Sequence, residues 1–130
     1  MIIDSVFPIV VSADLPRLLT FYTEVLGGEL VYQFPPEGPP AYVSLRFGQA
    51  ALGLGHDPDF KPADGTAAIS LWLYADDCDA AIDRIRRTGL PILQEPADQP
   101  WGEREARAQD PDGNLLIIGQ RSPGSAAVTG

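Results

Sequence analysis

Apolar residues in this chain fall into two matched sets whose offset is 63 positions. Asp14 opens a segment that puts Leu15, Leu18, Leu19 and Tyr22 on one helical face, ended near Gly27. Asp77 opens a second with Cys78, Ala81, Ile82 and Ile85 at the same offsets, ended at Gly89. Steps of three, four and seven residues are the helical period, so both segments predict amphipathic helices. Each follows an apolar extended run, Val6–Val11 in the first half and Ala68–Tyr74 in the second. More strand-like sequence follows each. A repeated unit places two copies side by side, and a site can form between them.

Element by element, the pattern predicts βαβββ twice. Strand Val6–Val11 is followed by a helix over Leu15–Leu26, with Asp14 as N-cap and Pro16 in the first turn, where a missing N–H is tolerated. Glu29–Phe34, Ala41–Phe47 and Ala50–Gly55 then predict strands, broken by Pro35-Pro36-Glu37-Gly38-Pro39-Pro40, a mobile or polyproline-like loop. His56–Thr66 predicts the linker between halves. The second half gives strand Ala68–Tyr74, helix Cys78–Thr88, and strands near Pro91–Glu95, Arg104–Gln109 and Asn114–Gln120. Asp110-Pro111-Asp112-Gly113-Asn114 is a turn signal between the last two. The expected organisation is one domain over 1–121, with modules at about 1–60 and 66–121. Ser122–Gly130, small and polar, reads as a flexible tail.

A chain of 130 residues can bury roughly two-thirds of its unfolded surface, and 45% apolar content supplies a core. No run approaches the ~18–20 apolar residues of a membrane span, and no basic segment precedes an apolar one as in a secretory signal. The single cysteine, Cys78, has no disulfide partner and falls on an apolar helix face. These features predict a cytoplasmic protein. A net charge of −9 argues against nucleic acid as a partner. Arg84, Arg86 and Arg87 beside Asp79 and Asp83 predict a solvated helix face with i,i+4 pairs. Nucleophile-elbow, phosphate-loop and dinucleotide signatures are missing. Asp57, Asp59 and Asp64 do not complete a calcium loop.

Asp14-Leu15 with Phe21-Tyr22-Thr23-Glu24-Val25-Leu26-Gly27, Trp101-Gly102-Glu103-Arg104 and Asp110-Pro111-Asp112-Gly113-Asn114 together resemble the vicinal oxygen chelate superfamily. That superfamily includes glyoxalase I, extradiol dioxygenases, fosfomycin-modifying enzymes and bleomycin resistance proteins. The resemblance spans about Val6 to Gln120. It implies an α+β fold in which two βαβββ modules form a curled, concave eight-stranded sheet with helices outside, usually in a homodimer. In its metal-dependent members, ligands sit on the first strand of each module and on the last strands. Those positions map to Phe7, Ser70 and Ile117. Phe and Ile cannot coordinate a divalent ion and Ser is a poor ligand, so no metal or other cofactor is expected. His56, the only histidine, reads as a solvated residue in or beside the linker.

What remains resembles the bleomycin-resistance branch, which binds drugs without altering them. Gln99-Pro100-Trp101-Gly102 resembles its loop whose Trp lines the drug crevice. Pro8 resembles the proline at which related chains exchange the N-terminal strand across a dimer; the plainer reading is an edge strand. Strand alternation then gives the groove lining. Ser70, Trp72 and Tyr74 face inward while Ile69, Leu71 and Leu73 back onto helices. Glu105, Arg107 and Gln109 face inward opposite Ala106 and Ala108, and Tyr42, Ser44 and Arg46 do so opposite Val43, Leu45 and Phe47. Tyr32, Phe34 and Phe60, beside the proline-rich loops, suit core or site equally. With Trp101 these make an aromatic groove with polar groups, suited to a flat aromatic ligand. Trp72 and Tyr74 filling a collapsed interior is the competing arrangement. Three functions stay open: sequestration of an aromatic cytotoxic molecule, as in antibiotic self-resistance; a metal-independent enzyme using Glu105 or another groove acid as base; and an interaction module without a groove. The acidic balance favours a cationic ligand, whereas Arg46 and Arg107 suit phenolate or carboxylate oxygens.

Overall fold

In the computed structural model, residues 5–61 and 69–122 are described. The chain divides into two compact units, Met1–Pro62 and Ala63–Gly130. The eight expected strands are present as two mixed sheets of four. Among the described residues no helix is long and apolar enough to cross a membrane.

The first unit runs β1 (Ile9–Ser12), α1 (Leu15–Thr20), a π-helical turn (Phe21–Val25), β2 (Glu29–Phe34), β3 (Tyr42–Phe47) and β4 (Ala50–His56). Its sheet order is β1-β4-β3-β2, with β1 parallel to β4 and the other pairs antiparallel. The expected alternation sends Val43 and Leu45 into the core, where Leu52 and Leu54 join Leu15, Leu18, Phe21 and Tyr22. Each such side chain contributes roughly 1.5–3 kcal/mol through burial. The first strand starts later than expected. Phe7 and Pro8 precede β1, because proline has no N–H for the ladder; the Pro8 carbonyl instead accepts the Gly53 N–H at 2.9 Å. Nor does the first helix continue regularly to Leu26: after Thr20 it widens, and the Leu26 N–H reaches the Phe21 carbonyl at 3.1 Å. The proline-rich segment is a closed bend rather than an extended run. Ala41 N–H meets the Phe34 carbonyl at 2.8 Å, and Gln33 Nε2 braces the carbonyls of Pro35 and Gly38, both at 3.2 Å.

In the second unit the order is β5 (Ser70–Tyr74), α2 (Cys78–Arg86), β6 (Ile92–Asp98), β7 (Arg104–Gln109) and β8 (Leu115–Gln120). Its sheet repeats the first topology, β5-β8-β7-β6 with β5 parallel to β8. Cys78, Ile82 and Ile85 of α2 are buried with Ala106, Ala108, Leu116 and Ile118, so the alanines provide the close helix-facing side as expected. The ion pairs seen on α2 reach the sheet or span three residues, instead of the expected four. Asp79 holds Arg104 of β7 at 2.7 and 3.0 Å, and Arg86 holds Glu95 of β6 at 2.6 and 2.9 Å. Within α2 an ion pair joins Asp83 and Arg86, three residues apart at 3.7 Å. Sheet carboxylates and guanidinium reach over the helix because α2 lies directly on β6 and β7.

The duplication extends to the helix caps. Asp14 Oδ1 accepts Arg17 N–H at 3.2 Å and Asp77 Oδ1 accepts Ala80 N–H at 3.1 Å. In each unit the last residue of the last strand supplies a further acceptor. His56 Nδ1 takes the Leu15 N–H at 3.4 Å, and Gln120 Oε1 takes the Cys78 N–H at 2.8 Å. His56 is exposed, as expected, but it lies within the fold and not in the linker: it ends β4 and its ring closes the start of α1. Ser122, expected in the flexible tail, donates its hydroxyl to the Gly102 carbonyl. The remainder of that tail, 123–130, and linker positions 62–66 lie outside the described residues.

Candidate functional site

The face of the second sheet turned away from α2 is built in rows by strand register. Ser70, Leu115 and Gln109 form one row, Trp72, Ile117 and Arg107 the next, and Tyr74, Gly119 and Glu105 the third. All six inward positions expected on β5 and β7 thus share one face. Trp72 lies over Gly119, and a Cβ at Gly119 would stand 3.0 Å from Trp72 Nε1; only glycine lets the indole approach this closely. Trp72 and Tyr74 have ring centroids 5.9 Å apart, inclined by 60°. Trp72 keeps 42% of its surface exposed and Trp101 57%, so neither fills a collapsed interior.

Glu103, just before β7, orders these aromatic groups. Its carboxylate is 7% exposed and accepts the Tyr74 hydroxyl at 3.2 Å and the Trp101 Nε1–H at 3.2 Å. The Gln99–Glu103 turn that carries it is closed by Gln99 N–H to the Glu103 carbonyl at 2.7 Å. Desolvation first, and then the bond to Glu103, holds the Tyr74 phenol above its ordinary pKa, so it stays a protonated donor. Arg121 places its guanidinium carbon 3.9 Å from the Tyr74 ring centroid. Glu105, 2% exposed, accepts Arg107 Nε–H at 2.9 Å.

The first sheet offers a related face. Tyr32 lies opposite Ser44, Phe34 opposite Tyr42, and the Tyr32 and Tyr42 centroids are 6.2 Å apart. Tyr42 covers Gly53 as Trp72 covers Gly119: a Cβ at Gly53 would stand 2.7 Å from the Tyr42 hydroxyl. Arg46 is tied to Glu29 at 2.8 Å. Tyr32 and Phe34 are exposed, and Phe60 is exposed in the turn after β4.

The positions expected for metal ligands do not form a coordination set. Phe7 is exposed ahead of β1, Ser70 begins β5, and Ile117 lies between Trp72 and Arg107. Among the described residues no group of three His, Cys, Asp or Glu side chains could hold a metal ion. The residues present do not fit one. Sequence reasoning missed Glu103 and Arg121 as site residues. Alternation carries the signal for both, since each stands two positions beyond an inward residue, Glu105 and Gly119.

Residues 2–118 match the family model described as the Glyoxalase/Bleomycin resistance protein/Dioxygenase superfamily, and the chain belongs to that superfamily. No curated protein matches it in sequence. Among solved structures it is similar to TioX from Micromonospora sp. ML1, with a TM-score of 0.73 and 21% identity over 90% of this chain and 98% of that one. A superfamily member from Sphaerobacter thermophilus DSM 20745 gives 0.71 and 26% identity, covering 93% and 100%. Lactoylglutathione lyase from Agrobacterium tumefaciens gives 0.65 and 23%, covering 89% and 92%. The first and last of these likenesses concern the fold alone.

Proposed function

We propose that the protein binds an aromatic small molecule non-catalytically on the aromatic face of its second unit, sequestering a cytotoxic compound as in antibiotic resistance. The observation that carries this reading is an aromatic set in which Trp72 and Trp101 are exposed, Tyr74 is half-buried, and the polar ends of Tyr74 and Trp101 are already satisfied. Trp101 and Tyr74 give their donors to Glu103, which leaves Trp72, Tyr74 and Trp101 to offer π-faces. Side chains fixed in this way lose little freedom when a ligand stacks on them. Phe7, Ser70 and Ile117 at the metal-ligand positions support binding over metal-dependent turnover. Glu105, the acid considered as a base, is held by Arg107. In a panel of planar aromatic antibiotics, at least one is expected to quench tryptophan fluorescence and to be recovered by mass spectrometry with unchanged mass. A bound compound recovered in altered form shows an enzyme and overturns the proposal.

The reading includes a homodimer. β2 is the outer strand of the first sheet, and its Leu30, Val31, Tyr32 and Phe34 are all exposed. A second copy is the economical cover for such an edge. The N-terminal strand, entered through Pro8, is the segment such a dimer would exchange. Light scattering is expected to give twice the 14.0 kDa of one chain; a single-chain mass at micromolar concentration contradicts the dimer.

A further inference from the structure

The charges on the second unit's aromatic face are unevenly matched. Arg107 is paired with Glu105, and on the first unit Arg46 is paired with Glu29. An anionic ligand would have to compete with a carboxylate already in place at either arginine. Glu103 differs from both acids. It accepts two neutral donors, and no ion pair joins it to a cation among the described residues. Neither donor carries a positive charge. Arg121 differs from both arginines: its guanidinium sits on the Tyr74 ring instead of on a carboxylate.

We infer that this face recognises a planar organic cation, such as a guanidinium, an amidinium or a quaternised heteroaromatic ring, and that Arg121 holds the cation's place until the ligand displaces it. The inference rests on the binding role proposed above and names the ligand class. An aromatic face attracts a cation within about 6 Å of its centroid, more strongly when the cation leaves water. The 3.9 Å seat of Arg121 shows that the Tyr74 face is open to a flat cationic group. Trp72 beside it and Trp101 on the same carboxylate supply further π-surface, and buried Glu103 supplies the opposite charge. Arg121 is solvent-exposed, so its guanidinium can return to water when exchanged. That release offsets much of the energy of the lost stacking contact.

Two probes of equal shape isolate the charge. N-methylacridinium is a permanent cation, and acridine has the same three rings and carries no proton in mildly alkaline buffer. Titrated into the whole chain by fluorescence, the cation is expected to bind roughly tenfold more tightly. Arg121→Gln removes the internal competitor for both probes and a like charge for the cation alone, and is expected to tighten the cation by about threefold and acridine by less. Glu103→Gln keeps an acceptor for Tyr74 and Trp101 but not the charge, and is expected to bring the two affinities within about threefold. Equal affinities in the wild-type chain, or no tightening in Arg121→Gln, overturn the inference while the aromatic-binding role stands. A charge preference that survives in folded Glu103→Gln overturns the role of that carboxylate. If Glu103→Gln does not fold, exposed Arg121→Gln decides alone. Binding of neither probe overturns both the inference and the binding role.

Discussion

Trp101→Ala and Trp72→Ala are each expected to weaken binding of whichever acridine the chain holds more tightly by about 1–3 kcal/mol, roughly five- to 150-fold in Kd. The two losses have different physical origins. Trp72 rests against Gly119 and stays partly open to solvent. Its removal takes away a stacking plate and bares the glycine beneath. Trp101 stands on a turn, fixed through its indole N–H to Glu103. Its removal loses the plate and leaves Glu103 with one donor fewer. Trp101→Phe separates these effects, since it keeps an aromatic face without the tether, and should fall between wild type and Trp101→Ala. Isothermal titration with folded variants makes the measurement. Affinities unchanged in both alanine variants would place the ligand elsewhere on the molecule.

The largest expected effect on stability lies away from that face, at Asp110. Its side chain is 1% exposed and organises the whole turn between β7 and β8. Oδ1 accepts the N–H groups of Asp112 and Asn114, both at 2.9 Å, and Oδ2 accepts Asn114 Nδ2–H at 2.8 Å. Asp110→Ala strands these donors in a partly buried turn, and about 2–4 kcal/mol of stability should be lost. Asp110→Asn keeps an acceptor and should lose about half as much. Urea unfolding followed by tryptophan fluorescence and by circular dichroism gives both values. A loss below about 0.5 kcal/mol in Asp110→Ala would show that the backbone holds the turn unaided.

The repeat was legible because its period is local. Leu15, Leu18 and Tyr22, like Cys78, Ile82 and Ile85, must share a helical face whatever surrounds them, and all six are buried. Alternation was equally informative in β3 and β7, where moving the register by one residue would expose Val43, Leu45, Ala106 and Ala108. The widened turn at Phe21–Val25 was not legible. Over a single turn, apolar spacing does not distinguish bonds spanning four residues from bonds spanning five.

The sequence by itself determined the two strand–helix–strand units, their buried faces, the turn at Asp110 and the residues that face away from the helices. Tertiary structure alone decided what those residues do to one another. His56 looked like a loop histidine until β4 brought it to the N-terminus of α1, 41 positions away. Glu103 and Arg121 became partners of Tyr74 only when β5 paired in parallel with β8 and β8 with β7. The Glu103 bond spans 29 positions, and no periodicity encodes a contact at that distance. Periodicity fixes the direction of a side chain relative to its own backbone; the neighbour it meets depends on which strands pair, and that is settled by the packing of the whole unit.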